Sequence, residues 1–318
     1  MTNNKTVLLC GATGFIGRNI LENLLNKPGY NVRAVYHKKP PIKEYNAQWV
    51  YADLNNCDDV DRVVSGADII LQFAATTSGA GDIVGKPYIH VTDNAVMNSL
   101  LLRAAFEHDV EHFIFPSCTV MYQPSNTPIQ ETDYVASADI LKKYYGVGNT
   151  KVYIEKMCKF YSSLGRTKHT VLRHSNIYGP YDKYDLKRSH VFGATITKVL
   201  NSKDGKVCVW GSGEEERDLL HVNDLVDFVF LAVEKQKNEY GLYNVGLGEP
   251  ISIKDLVTKI IDLSGRELVI EHDMTRPTIK TSVHLNCEKA LKDFGWRPRI
   301  DLENGIALTL DWYRENIK

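Results

Sequence analysis

Val7-Leu8-Leu9-Cys10-Gly11-Ala12-Thr13-Gly14-Phe15-Ile16-Gly17 is the stretch whose reading decides the fold of this chain. An apolar run enters three glycines spaced G-x-x-G-x-x-G, and an amphipathic run, Ile20 to Leu25, follows. The order reads strand, tight turn, helix. Gly11 falls where the turn demands backbone angles that a side chain forbids. Gly14 lets the backbone approach a ligand closely, and Gly17 lets the helix pack onto the strand. The helix N-terminus then points unpaired N–H groups and a partial positive charge above the turn, an arrangement that suits a pyrophosphate. A glycine triplet alone is a weak sign. With a readable strand before it and a helix after it, the triplet predicts a dinucleotide site. The plain alternative is an ordinary strand-to-helix turn with spare glycines.

The alternation continues downstream. Strands are expected at 32–36, 48–52, 68–73, 113–115 and 170–173, with helices at 57–64, 91–108 and 150–164 between them. Such alternation predicts an α/β fold, a Rossmann-type doubly wound parallel sheet with helices on both faces and right-handed crossovers. Ligands in such sheets lie beyond the carboxyl ends of the strands. Ala74-Ala75, Ser117-Cys118-Thr119 and Ser175-Asn176 each follow a strand and are expected on one rim. After Asn176 the pattern loosens into the turn-rich Tyr178-Gly179-Pro180-Tyr181-Asp182. Helices are expected at 190–200, 225–233, 253–263 and 302–313, with a strand running into a turn over 208–213 and a strand at 242–245. The expected division is a nucleotide-binding domain over 1–175, to which 218–246 returns, and a smaller C-terminal substrate-binding lobe over 176–318.

Composition excludes several classes. The 318 residues carry a formal net charge of -1, so no basic excess draws a phosphate backbone and nucleic acid is not expected as a partner. No apolar run approaches a membrane span. Residues 1–5 are polar, and the apolar stretch after them is too short for a signal peptide, so the expected location is cytoplasmic. The six cysteines (Cys10, Cys57, Cys118, Cys158, Cys208 and Cys287) are scattered without a C-x-x-C pair. They read as reduced thiols, and no metal site is expected.

Further motifs carry a resemblance. They are the glycine triplet, Asp53-Leu54, Ala74-Ala75 and the run Arg173-His174-Ser175-Asn176-Ile177-Tyr178-Gly179-Pro180. Gly211-Ser212-Gly213, Arg217-Asp218, His221-Val222-Asn223-Asp224, Phe294-Gly295-Trp296-Arg297-Pro298 and Trp312-Tyr313 complete the set. With them the chain resembles, nearly end to end, the extended short-chain dehydrogenase/reductases of the nucleotide-sugar epimerase/dehydratase family. Ser189-His190-Val191 after Tyr181-Asp182-Lys183-Tyr184 is most like the GDP-fucose synthase branch.

The resemblance implies roles. Gly11, Gly14 and Gly17, with Thr13, Phe15 and Ile16 of the same turn, would hold the cofactor pyrophosphate. Asp53 would accept from the adenine amino group, with Leu54 contributing its backbone, and Ala74 and Ala75 would line the ribose and phosphate path. A turn or helix-cap role is the plain alternative for Asp53. NAD enzymes usually place an acid at the end of the second strand for the ribose 2′-hydroxyl. That end here reads Tyr36-His37-Lys38-Lys39. His37 and Lys38 suit a 2′-phosphate, so NADP is favoured slightly over NAD, and a solvated basic loop is the alternative.

Hydride chemistry at a sugar hydroxyl needs a base, a second hydrogen-bonding group on the same oxygen, and a cation that lowers the base's pKa. The family uses Tyr-x-x-x-Lys on one helix face, with a Ser or Thr from the preceding strand end. Lys151 matches the lysine, with Glu155 following it, but the tyrosine position is Val147, which cannot exchange a proton. Tyr144 and Tyr145 lie just upstream beside Gly146 and Gly148, and a bend there can bring one into the site; Tyr145 is the position carried forward. Rim or core packing is the alternative for both. The Ser/Thr position falls on Cys118, with Thr119 adjacent as a hydroxyl alternative. Cys118 is a thiol acid/base candidate or an inert buried cysteine. His190 matches the acid/base histidine of the fucose-synthase branch, whose work at the carbon beside a ketone suits a residue type that ordinarily titrates near neutrality. Helix capping or packing is its plain reading. Asn176, His190, Lys198 and Arg217 would face the substrate, Arg217 on the diphosphate.

The resemblance thus implies an NAD(P)-dependent nucleotide-sugar epimerase or oxidoreductase, closest to the GDP-fucose synthase branch and acting on a GDP-linked sugar. Thr119-Val120 lacks the Asp-Glu pair of the 4,6-dehydratases, which disfavours water elimination. Three alternatives stand beside it: a nucleotide-sugar 4-epimerase, a catalytically quiet dinucleotide-binding sensor or partner subunit, and a glycine-rich module for another phosphate ligand. A homodimer is implied, paired through the helices 91–108 and 150–164.

Overall fold

The computed structural model describes residues 4–76, 85–186, 189–276 and 282–317. Seven strands build the central sheet: β1 (Lys5–Cys10), β2 (Tyr30–Tyr36), β3 (Gln48–Tyr51), β4 (Ile69–Gln72), β5 (His112–Pro116), β6 (Lys168–His174) and β10 (Tyr240–Val245). Their spatial order is β10-β6-β5-β4-β1-β2-β3, and every neighbouring pair is parallel. Strand order reverses between β1 and β4, which opens the crevice where α/β sheets bind ligands. Because all strands run one way, the segments after β4, β5 and β6 emerge on one edge, as expected from the sequence.

The central strands β1, β4 and β5 are buried on both faces and are largely apolar, while the edge strand β3 is partly exposed. Val7 and Leu9 of β1 enter one core with Ile20, Leu21 and Leu24 of the helix Phe15–Leu25. Leu8 and Cys10 enter the opposite core with Leu101, Leu102 and Ile154. Burial of each such aliphatic side chain contributes about 1.5–3 kcal/mol. The helices Thr92–Glu107 and Tyr145–Ser162 cover that second face, and Val222–Lys235 packs with the first helix on the other.

A third core lies apart. Phe192, Ile196 and Val199 of the helix Val191–Asn201 meet Leu256, Val257 and Ile260 of the helix Ile253–Ser264, with Ile306 and Leu310 of the helix Leu302–Asn316. Two small sheets accompany it. One orders β11 (Pro250–Ser252), β9 (Glu216–His221) and β7 (Asn176–Tyr178); the other pairs β12 (Val269–Asp273) with β8 (Lys206–Trp210). Gly305 allows this packing, since a Cβ there would meet the Tyr178 hydroxyl at 1.9 Å. Among the described residues no helix is long and apolar enough to cross a membrane.

The helix expected to begin at Thr150 begins at Tyr145 and runs straight through Gly146 and Gly148. The glycines serve contact rather than bending. A Cβ at Gly148 would come within 2.9 Å of Ile140 Cδ1, and one at Gly146 within 3.0 Å of Val91 Cγ2. The strand β9 and the short helix Glu288–Phe294 were not expected from sequence periodicity.

Candidate active site

The turn after β1 has the shape its glycines require. Gly11 takes φ +78, and a Cβ there would meet the Phe73 carbonyl oxygen at 2.6 Å. A Cβ at Gly17 would lie 2.1 Å from the Gly11 oxygen. Gly14 is the N-cap of the helix and supplies no side-chain cap, so the first-turn N–H groups are left for a ligand. This cradle fits a dinucleotide pyrophosphate. The loop after β4 is held beside it. Thr76 N donates to Asn94 Oδ1 and Asn94 Nδ2 to Thr76 O, each at 2.9 Å. Gln72 exchanges hydrogen bonds with the Ala74 backbone at 3.2 Å. Ala74 is half-buried and Ala75 exposed on this rim. Sequence reading missed the Asn94 clamp, which depends on contacts between segments distant in the chain.

At the end of β3, Asp53 accepts from Asn55 N at 3.0 Å in an Asx turn, and its own N–H donates to Asp59 Oδ2 at 2.9 Å. Leu54 is buried beneath it. His37, Lys38 and Lys39 are exposed after β2, with the His37 ring 5.7 Å from Tyr51.

Beyond β5 and β6 a cleft is lined by Thr119, Val120, Tyr144, Asn176, Glu216 and Arg217, among others. Asn176 Nδ2 donates to Asp218 O at 3.2 Å, and Arg217 Nη1 donates to Glu216 O at 2.6 Å. At the back, Lys151 Nζ donates to Pro116 O at 2.7 Å and lies 4.6 Å from the Phe115 ring centroid. Burial pulls the Lys151 pKa down, against the opposing pull of Cys118, Glu155 and Cys158. Cys118 is half-buried among Met121, Ile140 and Val152. Burial raises its thiol pKa, and Lys151 draws it back. The structure therefore brings Thr119, Asn176 and Arg217 to one cleft, with Cys118 and Lys151 adjoining.

Two positions lie elsewhere. Lys198 Nζ donates to Cys208 O at 2.8 Å and sits 5.9 Å from the Trp210 ring, away from the cleft lining. Tyr145 is 59% exposed, while its neighbour Tyr144 lines the cleft. Tyr145 opens the helix six residues before Lys151 and so lies about 120° from it around the axis, whereas Tyr144 ends the 3₁₀ turn Lys142–Tyr144 that delivers its ring to the cleft. Val147 is half-buried on the same helix.

His190 is the N-cap of the helix Val191–Asn201, and its side chain makes no cap hydrogen bond. Part of its surface is open, yet the protein packed round it, Lys183 and His90 lower its pKa. His174, which the sequence reading did not single out, lies at the end of β6 with Nδ1 2.7 Å from Ser175 O. Burial pushes its pKa down to about 4, with smaller contributions from Lys151 and His190. A buried network braces the cleft from behind. Glu155 accepts from Ser117 Oγ at 2.5 Å and from Arg173 Nη2 at 2.6 Å, and Arg173 Nη1 donates to Tyr122 Oη at 2.9 Å. Among the described residues no group of three His, Cys, Asp or Glu is placed to hold a metal ion.

Residues 7–246 match the NAD dependent epimerase/dehydratase family. The chain belongs to this family. GDP-L-colitose synthase of Yersinia pseudotuberculosis is 25% identical over 96% of this chain and 97% of that protein. GDP-L-fucose synthase of Azorhizobium caulinodans is 26% identical over 98% of this chain and 97% of that protein. Among solved structures, UDP-glucose 4-epimerase of Thermotoga maritima with UDP-glucose superposes with a TM-score of 0.87 at 24% identity, covering 98% of this chain and 100% of that one. That likeness establishes the doubly wound fold.

Proposed function

We propose that this member of the epimerase/dehydratase family is an NAD(P)-dependent epimerase/reductase of a GDP-linked sugar. One observation carries the reading. The glycine cradle after β1 and Thr119 after β5 lie at the carboxyl edge of the parallel sheet, and Asn176 and Arg217, from β7 and β9 of the small sheet, line the cleft that Thr119 shares. A dinucleotide on the cradle and a nucleoside diphosphate sugar in the cleft thus reach each other. The similarity to GDP-L-colitose and GDP-L-fucose synthases supports the guanine nucleotide. Residues 1–175, with 218–246, form the nucleotide-binding part of this reading, and 176–318 the substrate lobe. The return of β10 to the main sheet supports that division.

When bound, the dinucleotide supplies the acceptor or donor of hydride. The chain's residues do the rest. Arg217 and Asn176 hold the diphosphate. Thr119, or the Cys118 thiol, hydrogen-bonds the reacting oxygen. Lys151 keeps a positive charge behind that oxygen and steadies the alkoxide character that develops there. His190, uncapped and with a depressed pKa, takes and returns the proton of the carbon beside the carbonyl. His37 and Lys38, with no acid in that run, favour NADP over NAD.

The protein acts as a cytoplasmic homodimer in this reading. Tyr145, Tyr153 and Phe160 expose 59%, 42% and 51% of their surface on one face of the helix Tyr145–Ser162, beside Val96 at 40% on its neighbour. Large aromatic residues exposed together on paired helices suit a second copy. The second reading, a quiet dinucleotide-binding subunit, is favoured only by Val147. Purified protein incubated with GDP- and UDP-linked sugars, including 4-keto forms, decides between them. A change in NAD(P)H absorbance or in sugar stereochemistry is expected, and dinucleotide binding without either supports the quiet subunit.

A further inference from the structure

We propose that Tyr144, from the 3₁₀ turn that precedes the helix, is the proton-exchanging phenol of this enzyme and stands in for the missing tyrosine at position 147. The proposal rests on the nucleotide-sugar reading above and names the group that the reading leaves open. Four observations carry it. Tyr144 lines the cleft together with Thr119, Asn176 and Arg217. It is the N-cap of the helix that bears Lys151 and is half-buried, whereas Tyr145, the first residue of that helix, is exposed. It packs against the buried cluster of Met121, Ile140 and Val152, on which Cys118 also sits. A Cβ at Gly148 would come within 2.9 Å of Ile140 Cδ1, a side chain of the cluster that Tyr144 packs on, so the glycine leaves room for that cluster beside the helix.

The electrostatics suit the task. Burial raises the phenol's pKa, and the Arg217 charge lowers it from the cleft side. The group is therefore protonated at rest and releases its proton more readily as cations gather in the cleft. The step balances as follows. When a sugar alcohol is oxidised, the hydroxyl proton passes to the Tyr144 phenolate, and the carbon's hydrogen leaves with its electron pair to an oxidised nicotinamide dinucleotide. In the reducing direction the phenol returns the proton to the carbonyl oxygen while the reduced dinucleotide gives hydride to the carbon. The phenolate that oxidation requires forms by loss of the resting phenol's proton to solvent, and the phenolate that reduction leaves behind takes a proton back from solvent.

The test compares Tyr144→Phe, Tyr145→Phe and Tyr153→Phe in the full chain with NADP(H), on whichever GDP- or UDP-linked sugar the wild type turns over. Tyr144→Phe is expected to lower kcat by about 100- to 10,000-fold, the range for loss of a general acid–base. The thermal melting curve and the KM for NADPH should stay as in wild type. The limb of the pH–rate profile assigned to the phenol should vanish in this variant alone, a change that a merely structural tyrosine does not produce. Tyr153→Phe, on the outer helix face, is expected to match wild type. Tyr144→Phe turnover within threefold of wild type, or loss confined to Tyr145→Phe, overturns the proposal while leaving the nucleotide-sugar reading intact. A wild-type protein that binds NADPH but turns over none of the sugars overturns that reading and the role of Tyr144 with it. Should Tyr144→Phe melt early, Tyr144→Trp and Tyr144→His separate the cases. Both fill the site, and activity in the histidine variant alone supports the proton role.

Discussion

Glu155→Gln tests the brace behind the cleft. The Glu155 and Arg173 side chains are 6% and 3% exposed, with oxygen and nitrogen 2.6 Å apart. The substitution removes one charge and keeps the volume. It leaves the Arg173 guanidinium in a site where Tyr122 Oη at 2.9 Å and Glu131 O at 3.2 Å are its remaining acceptors, neither of them charged. Breaking a buried pair by removing one partner costs about 3–5 kcal/mol. The amide oxygen still accepts from Ser117 or Arg173, so the lower end, about 3 kcal/mol, is expected. That is a large share of the roughly 5–15 kcal/mol that holds a folded protein together. Urea unfolding followed by tryptophan fluorescence measures the loss as a lower midpoint with little change in slope. The pair Glu155→Met and Arg173→Met should cost less together than the sum of the two singles, because the double variant leaves no unpaired buried charge. A Glu155→Gln loss below about 1 kcal/mol, or strict additivity of the Met variants, would refute the reasoning. A second readout is kcat, since Lys151 lies one turn from Glu155 and binds the strand end that also carries Ser117.

Gly17→Ala places a methyl 2.1 Å from the Gly11 carbonyl oxygen, so NADPH titration should show binding lost or weakened at least tenfold, with the turn forced open. Lys38→Glu should turn the dinucleotide preference toward NAD, read as a ratio of dissociation constants, by supplying an acid for the ribose hydroxyl and repelling a 2′-phosphate. Acid should destabilise the fold below about pH 6.5. Burial pushes His112 down to about 3 and His169, His174 and His221 to about 4, so the unfolded chain takes up protons that the folded one refuses. Asp182, raised by burial to about 7, acts in the opposite sense, as do Asp218 and Asp224, also raised by burial, while His190, lowered by burial, adds to the imidazoles: three carboxyls against five histidines. The urea midpoint should therefore fall from pH 7 to pH 5, and a constant or rising midpoint would count against the buried neutral imidazoles. Phe160→Glu puts a charge in the exposed aromatic face of the helix Tyr145–Ser162, and light scattering should show the proposed homodimer falling to monomers.

Determined by the sequence alone were the features that depend on neighbours in the chain. The glycine turn after β1 is one, because the backbone angle of Gly11 and the close approach at Gly17 leave little choice of residue. The parallel sheet is another, because strands buried on both faces must be continuously apolar and the helices between them must alternate with them. The shared rim of Thr119 and Asn176 follows from strand direction, and Arg217 reaches the same cleft from β9. The orientation of the tyrosine pair was not legible in the same way. Tyr144 and Tyr145 differ by one position, and only the observed start of the helix, carried through Gly146 and Gly148 by close packing on Val91 and Ile140, set which phenol turns inward. Lys198 reads as a cation on a helix face, and its contacts with the Cys208 carbonyl and the Trp210 ring come only from tertiary packing. The Glu155–Arg173 brace joins residues on a helix and a strand whose distance no local pattern specifies. Local geometry is written in adjacent residues. The direction of a side chain across a cleft depends on how whole elements pack, and that was decided only in the folded chain.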